Sequence, residues 1–272
     1  MRRLFTTEEA RAAGITKHGL AWAEHVGRCR SIGRGVYGKG PDPPSPLDRA
    51  RADVLRSGRE ARGALAGVLH GLDSVHLDGR PTRWAGLPPD RVVLVGGIPC
   101  ADGLATLVDL AADLDDRTWE QALESALRKR LTTVGALEGV RLVPGVARIR
   151  RVLALRPAGA PPTESLLETL MVQLARDVPE VGELVRQYEV WDADVLIARL
   201  DLCRPDRGFL LELDGEQHKD QPVYDAMRQT AVVAATGMLP GRFTWTEVTR
   251  YPASTKRRLA ALARRAASGV RS

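Results

Sequence analysis

Residues 195–218 read VLIARLDLCRPDRGFLLELDGEQH, and this stretch decides the fold of the C-terminal part of the chain. Two apolar runs, VLIARLDL and GFLLELD, have the composition of β-strands, and the CRPDRG segment that joins them is rich in residues that favour turns. The pattern predicts a hairpin whose turn centres between Asp206 and Arg207. With that centre Asp201 lies opposite Glu212, and the two side chains point to the same side of the sheet.

Three carboxylates are therefore expected to meet on one face of this hairpin. Glu212 and Asp214, two residues apart, share that face with Asp201. Like charges this close repel unless a cation lies among them, and Mg²⁺ prefers carboxylate, water and phosphate oxygens. The pattern thus predicts a Mg²⁺ site formed by Asp201, Glu212 and Asp214. His218 and Lys219 follow closely, where either would orient water, protonate a leaving oxygen or hold a phosphate.

The same residues also allow a structural interpretation. Asp214 and Gly215 form a common turn dipeptide, and Arg199 and Arg204 lie near enough in sequence to pair with Asp201. The acidic motif alone does not decide between the two interpretations. The order of the elements around it favours the metal site.

The surrounding sequence predicts a mixed α/β (α+β) fold. An amphipathic helix is expected over residues 163–178, with Glu164 and Glu168 together on its flank. The other predicted elements are a strand at 187–191, a helix at 224–235, a strand at 241–245 and a basic helix at 254–267. They predict a C-terminal domain over residues 162–272, a mixed sheet flanked by helices.

The first forty residues predict two short helices followed by a β-ribbon. Thr6 or Thr7 is expected to cap a helix that ends at Gly14, and Thr16 a second helix that ends at Gly27. Together with the glycine-rich CRSIGRGVYGKG segment, they predict a winged helix-turn-helix over residues 1–40. The candidate DNA contacts are Lys17, His18, Arg30, Arg34 and Lys39, with Lys219 as a further contact in the C-terminal domain.

Two proline-rich segments separate a middle region from the two ends. PDPPSP at 41–46 is typical of a stiff linker, and RPAGAPP at 156–162 of a hinge. The region from 47 to 155 is expected to be a mixed α/β domain, with a helical pattern over 47–69, a buried strand at 91–95 and two further helices. It contains no motif that predicts catalysis.

The charge distribution favours a polyanionic partner. The net charge is +6, with eight Lys/Arg against three Asp/Glu in residues 1–40 and eight against one in residues 242–272. We therefore expect binding to double-stranded DNA, although a general abundance of arginine would give the same excess. Three widely spaced cysteines and the lack of an apolar leader or membrane span predict a cytoplasmic protein without disulfides.

Several motifs resemble a known nuclease group. SLLETL, RLDL, FLLELDGEQH, YDAMR and GRFTW resemble the Vsr-like branch of the PD-(D/E)xK nuclease superfamily. The head, TTEEARAAGITKHGLAWAEHVGRCRSIGRGVYG, is similar to the helix-turn-helix of AbiEi-type antitoxins, so the whole chain resembles bacterial proteins that join these two parts. By this resemblance the catalytic residues are Glu168, with Glu164 as a near alternative, and Asp201, Glu212, Asp214 and His218. Tyr224, Asp225 and Arg228 match the following helix, where the resemblance allows a structural role as well as a catalytic one.

The resemblance has one departure and implies two functions. Asp214 stands where the superfamily has its lysine, which leaves the positive charge of the site unassigned, with Lys219 as a candidate. The first function is a Mg²⁺-dependent DNA endonuclease or nickase. The second is a transcriptional repressor or antitoxin-like regulator with an inactive nuclease fold and a toxin or other protein as partner.

Overall fold

The N-terminal segment forms two capped helices and a small antiparallel sheet. A computed structural model of the protein describes residues 1–77, 86–214 and 222–269. The first elements are β1 (Leu4–Thr6), α1 (Thr7–Ala12), α2 (Lys17–His25), β2 (Cys29–Gly33) and β3 (Val36–Lys39). The sheet order is β1-β3-β2, with both pairings antiparallel. The predicted helices and ribbon are confirmed, whereas the short strand β1 was not predicted.

Local hydrogen bonds explain why these helices begin and end where they do. The Thr6 hydroxyl accepts from the backbone N–H of Glu9, and the Glu9 carboxylate accepts from the N–H of Thr6. The Thr16 hydroxyl accepts from the N–H of Gly19. Gly14, with φ 78°, follows α1. This left-handed conformation ends a helix at little cost in a residue without Cβ.

A third helix, α3 (Pro46–Ser57), packs against the small sheet. Its Arg51 is 1% exposed and donates to the backbone oxygen of Arg2. The predicted helical run does not continue to Leu69. Gly58, with φ 66°, ends α3, and a separate helix, α4 (Gly63–Leu69), follows.

The middle of the chain forms a two-stranded hairpin and further helices. The elements are β4 (Val92–Val95), β5 (Ile98–Ala101), α5 (Gly103–Asp113), α6 (Asp116–Arg128), α7 (Val134–Glu138) and α8 (Val146–Leu153). The strand predicted at 91–95 exists, but the prediction that it is buried is wrong. Val93 is 39% and Leu94 74% exposed. Of the two strands, β5 contributes the buried side chains of the local core cluster, among them Ile98 and Cys100, while Val95 of β4 is only partly buried against it.

The C-terminal part contains a mixed four-stranded sheet. Its elements are α9 (Leu166–Arg176), β6 (Val185–Asp192), β7 (Val195–Arg204), β8 (Phe209–Asp214), α10 (Pro222–Thr236), β9 (Leu239–Thr244), α11 (Trp245–Arg250) and α12 (Pro252–Gly269). The strand order is β6-β7-β8-β9, antiparallel except for the parallel β8–β9 pair. The predicted order of elements is confirmed, with α11 as an additional short helix.

Helices cover both faces of this sheet. On one face α9 and α12 form an apolar cluster with Leu202, Leu211 and Phe243. On the other face, Val232 of α10 belongs to a cluster that contains Cys203 and Leu210. Because β8 is covered on both sides, Phe209, Leu210 and Leu211 are all buried, which explains its unbroken apolar sequence.

The chain divides into two compact units. The first contains Met1–Ala126 and Arg130–Arg151, and the second contains Leu127–Lys129 and Val152–Ser272. The mixed α/β class predicted from the sequence is confirmed, and the separation of residues 1–40 from a middle domain stays a prediction. Within the described ranges, no helix has both the length and the apolar character needed to span a bilayer.

Candidate functional site

The β7–β8 hairpin has the predicted register. Pro205–Arg207 forms a 3-10 turn, and Gly208 follows in the left-handed region with φ 69°. The paired residues are Leu202 with Leu211, Cys203 with Leu210 and Arg204 with Phe209. The ladder ends there, and its continuation by one residue sets Asp201 opposite Glu212. The predicted turn and register are confirmed for these three pairs, whereas the pairing of Asp201 with Glu212 lies beyond the ladder and stays a prediction.

Glu168 is the buried acid of this region. It lies in the first turn of α9, where Ser165 is the N-cap and accepts from the Glu168 N–H. Its carboxyl group accepts hydrogen bonds from the N–H of Glu164 (2.8 Å), the Ser165 hydroxyl (3.0 Å) and the Gln187 amide (3.1 Å). Burial raises the pKa of Glu168 to about 7, and the nearby Asp201 carboxylate acts in the same direction. Glu168 therefore lies within the electrostatic reach of Asp201.

The sequence predicted that Glu164 and Glu168 lie together on the flank of α9, and this prediction is wrong. Glu164 precedes the N-cap, and its carboxylate pairs with Arg199 at 2.5 Å on the exposed surface. Arg204 pairs with Asp206 at 2.6 Å. The two arginines that could have neutralised Asp201 thus each have another carboxylate as partner.

Asp214 differs from the predicted three-acid arrangement. Its carboxylate accepts two hydrogen bonds from Arg242 of β9, the neighbouring parallel strand. In the part of the chain that the structure describes, no three His, Cys, Asp or Glu residues form a group that could hold a metal ion. The predicted three-carboxylate set of Asp201, Glu212 and Asp214 is therefore not found among the described residues.

Some of the predicted site residues have no described geometry. His218 and Lys219 lie in 215–221, outside the described residues. Tyr224, Asp225 and Arg228 lie within α10, in agreement with the predicted helix. Their side chains are also outside the described part of the structure.

The predicted DNA contacts of the first unit are all on its surface. Lys17 and His18 occupy the first turn of α2, and Arg34 lies in the turn between β2 and β3. Arg30 and Lys39 lie on the paired strands β2 and β3. All five are exposed. Arg30 donates to the Pro41 carbonyl oxygen at 3.0 Å, while Lys17, Arg34 and Lys39 have no ion-pair partner among the described residues.

An aromatic side chain adds to this surface. Trp22 of α2 is 54% exposed, and the Arg28 guanidinium lies 4.9 Å from the centre of its ring. This distance is that of a cation–π contact. Arg28 was not among the predicted DNA contacts, because its proximity to Trp22 depends on the turn that follows α2.

Two further residues of the acidic region were not predicted. Arg242 is the register partner of Glu212 on β9, and Gln187 donates to Glu168. No sequence signal identified them, since both contacts join segments far apart in the chain. The chain matches no protein-family model, no curated protein and no solved structure.

Proposed function

We propose that this protein binds double-stranded DNA through a winged helix-turn-helix in residues 1–40 and cleaves or nicks DNA with a restriction-endonuclease-like second unit that uses Mg²⁺. The observation that carries the cleavage proposal is the β7–β8 register, whose extension by one residue beyond the Leu202–Leu211 pair would set Asp201 opposite Glu212. Glu168 provides a third acid within electrostatic reach of Asp201.

The element order of residues 1–40 supports DNA binding. Two helices joined by a short turn and followed by a β-ribbon are the parts of a winged helix, whose second helix enters the major groove. Lys17 and His18 lie at the N-terminal end of α2, the end that contacts base edges in such modules. Arg34 and Lys39 are exposed cations suited to phosphate contacts.

The sheet of the second unit supports a nuclease-like fold. It is mixed and has helices on both faces, as the nuclease resemblance implies, and its elements follow the order predicted from the sequence pattern. The acids are contributed by α9, β7 and β8, three elements that pack together in this unit. Fold alone does not determine chemistry, so the proposal depends on these side chains.

The chemistry of the proposed Asp201 and Glu212 ligands is compatible with Mg²⁺. This cation keeps several waters and is commonly bound through one or two carboxylates together with substrate phosphates, so a third protein ligand is not required. Asp201 and Glu212 would hold it. Mg²⁺ there would supply electrostatic stabilisation of the charge that develops on the attacked phosphate.

Glu168 would adjust the charge of the site. With a pKa of about 7, it is about half protonated at neutral pH, which reduces its repulsion with Asp201. A positive charge bound at Asp201 would favour the ionised form of Glu168. The acidic region can therefore exist both with and without a cation.

The test is nicking of supercoiled plasmid in the presence of Mg²⁺. We expect activity from the wild-type protein and a loss of at least about 100-fold in Asp201→Ala and in Glu212→Gln. Asp206→Asn is the matched control, because Asp206 lies in the turn of the same hairpin and pairs with Arg204. No nicking by the wild-type protein under any metal or salt condition would contradict the cleavage proposal.

One observation favours a second candidate function, a transcriptional or antitoxin-like regulator with an inactive nuclease fold. An aspartate occupies the position of the superfamily lysine, and Arg242 neutralises it. On this alternative, Asp201→Ala would leave DNA binding and repression of a reporter unchanged. A toxin or other protein would then bind the second unit.

A further inference from the structure

Gln187 has an unusual backbone conformation beside the acidic site. Its φ is 52°, in the left-handed region that costs a residue with a Cβ on the order of 1–3 kcal/mol. Among the described residues it is the one non-glycine residue with positive φ inside a helix or strand. The β6–β7 pairs on either side are Arg186 with Leu202 and Tyr188 with Leu200, so Gln187 occupies the position opposite Asp201.

The Gln187 side chain joins this strand to Glu168. Its amide Nε2 donates to Oε2 of Glu168 at 3.1 Å. Its Oε1 is buried and has no hydrogen-bond partner among the described residues. A buried acceptor without a donor costs free energy, which a donor arriving with a ligand would recover. The water molecules of a hydrated cation are such donors.

We infer that Gln187 is a positioning residue of the acidic site, because its amide fixes the Glu168 carboxyl group beside Asp201. The inference rests on the proposed function, since it assigns a residue to the same site. Groups that hold and orient acidic residues near a metal typically change metal affinity or activity by about 10–100-fold when they are removed. The strain of the backbone is retained because it keeps the Gln187 amide directed at Glu168.

The chain offers a matched pair of substitutions. Gln187→Gly removes the amide and also relieves the left-handed conformation, so the fold should not lose stability. Ala193→Gly relieves the same conformation, φ 47°, in the exposed β6–β7 turn without removing any polar group. A difference between the two variants therefore reports the Gln187 side chain.

The experiment measures melting temperature, Mn²⁺ affinity and the kinetics of plasmid nicking in the full chain. Both variants are expected to melt no lower than the wild-type protein. Only Gln187→Gly should bind Mn²⁺ about 10-fold more weakly and lose about 10-fold in kcat. Its KM for DNA should stay within about 2-fold of wild type, because the predicted DNA contacts lie elsewhere.

The outcomes separate this inference from the proposed function. If wild type nicks DNA and Gln187→Gly retains its Mn²⁺ affinity and kcat, the inference is wrong and the nuclease proposal stands. If Gln187→Gly melts well below Ala193→Gly, the residue is structural and the inference is again wrong. A wild-type protein that neither binds Mn²⁺ nor nicks DNA would overturn both.

Discussion

Arg242 donates from Nε to Oδ2 of Asp214 at 2.5 Å and from Nη2 to Oδ1 at 2.9 Å, across the parallel β8–β9 pair. The register partner of Arg242 is Glu212 rather than Asp214. Asp214 thus neutralises a guanidinium whose register partner is Glu212. If Glu212 holds a cation as proposed, this ion pair would lower the repulsion between the Arg242 guanidinium and that cation.

The first prediction concerns the Asp214–Arg242 pair. Asp214→Asn should weaken Mn²⁺ binding about 5-fold, equivalent to the roughly 1 kcal/mol of a partly exposed ion pair, because Arg242 is then no longer neutralised by Asp214 and its positive charge disfavours a nearby cation. The double variant Asp214→Asn/Arg242→Gln should recover the wild-type affinity. Titration calorimetry with Mn²⁺ measures both. Equal affinities of the wild-type protein and the single variant would show that Asp214 does not have this role.

The second prediction concerns pH and the buried acid. The pKa of Glu168 is raised to about 7 in the folded state, so between its ordinary value of about 4.5 and 7 the folded protein binds the proton more tightly than the unfolded chain. Stability contributed by this group is complete below that window and falls as the pH rises through it. The loss amounts to about 3 kcal/mol above pH 7.

Glu168→Gln should remove this dependence, because the neutral amide keeps the shape of the protonated acid. Urea unfolding should find the variant more stable than wild type at pH 8 and about equal to it at pH 4.5. Glu164→Gln is the control, since its carboxylate is exposed and paired with Arg199. Parallel stability curves for the wild-type protein and Glu168→Gln over this range would count against the buried-acid interpretation.

The parts of the structure that the sequence predicted are those with local causes. Pro205, Asp206 and Gly208 determine where the hairpin turns, and the turn determines the register of the strands. Thr6 and Thr16 determine where the first helices begin, because each cap bonds to a residue three positions later. Both kinds of signal involve only a few consecutive residues.

The parts that could not be predicted depend on residues far apart in the chain. Arg242 reaches Asp214 through a parallel pairing that requires the crossover helix α10 between the two strands. The contact of Gln187 with Glu168 depends on a left-handed backbone inside a strand, which the residue types do not indicate. Leu94 is exposed although its sequence is that of a core strand, because β4 is in a sheet of only two strands.

The third prediction tests packing in the first unit. A Cβ at Gly103, the first residue of α5, would lie 2.3 Å from the backbone oxygen of Leu131, so Gly103→Ala must move the backbone. We expect a loss of about 1–3 kcal/mol in the free energy of unfolding. Gly135→Ala in α7 is the control, because nothing lies within 4 Å of its added Cβ. A gain in stability for Gly103→Ala would contradict the packing described.

The fourth prediction concerns the proposed DNA contacts in residues 1–40, the proposed winged helix-turn-helix (the winged segment). Arg34→Ala and Lys39→Ala each remove an exposed cation, so each should weaken binding to all duplex sequences alike. Each should also reduce the slope of log K against log salt by about 1, because one fewer counterion is released. Fluorescence anisotropy with two unrelated duplexes at several salt concentrations measures both quantities.

Arg56→Ala distinguishes direct contact of a cation with DNA from the effect of the net charge of the protein. Arg56 is exposed and pairs with Asp53 on α3, outside the winged segment, so its removal changes the net charge by the same amount. If the cations bind phosphates directly, Arg56→Ala leaves the salt slope unchanged while Arg34→Ala lowers it. Equal effects of the two variants would mean that only the overall positive charge attracts DNA. An affinity that does not depend on salt would exclude phosphate contacts altogether, because such contacts always release counterions.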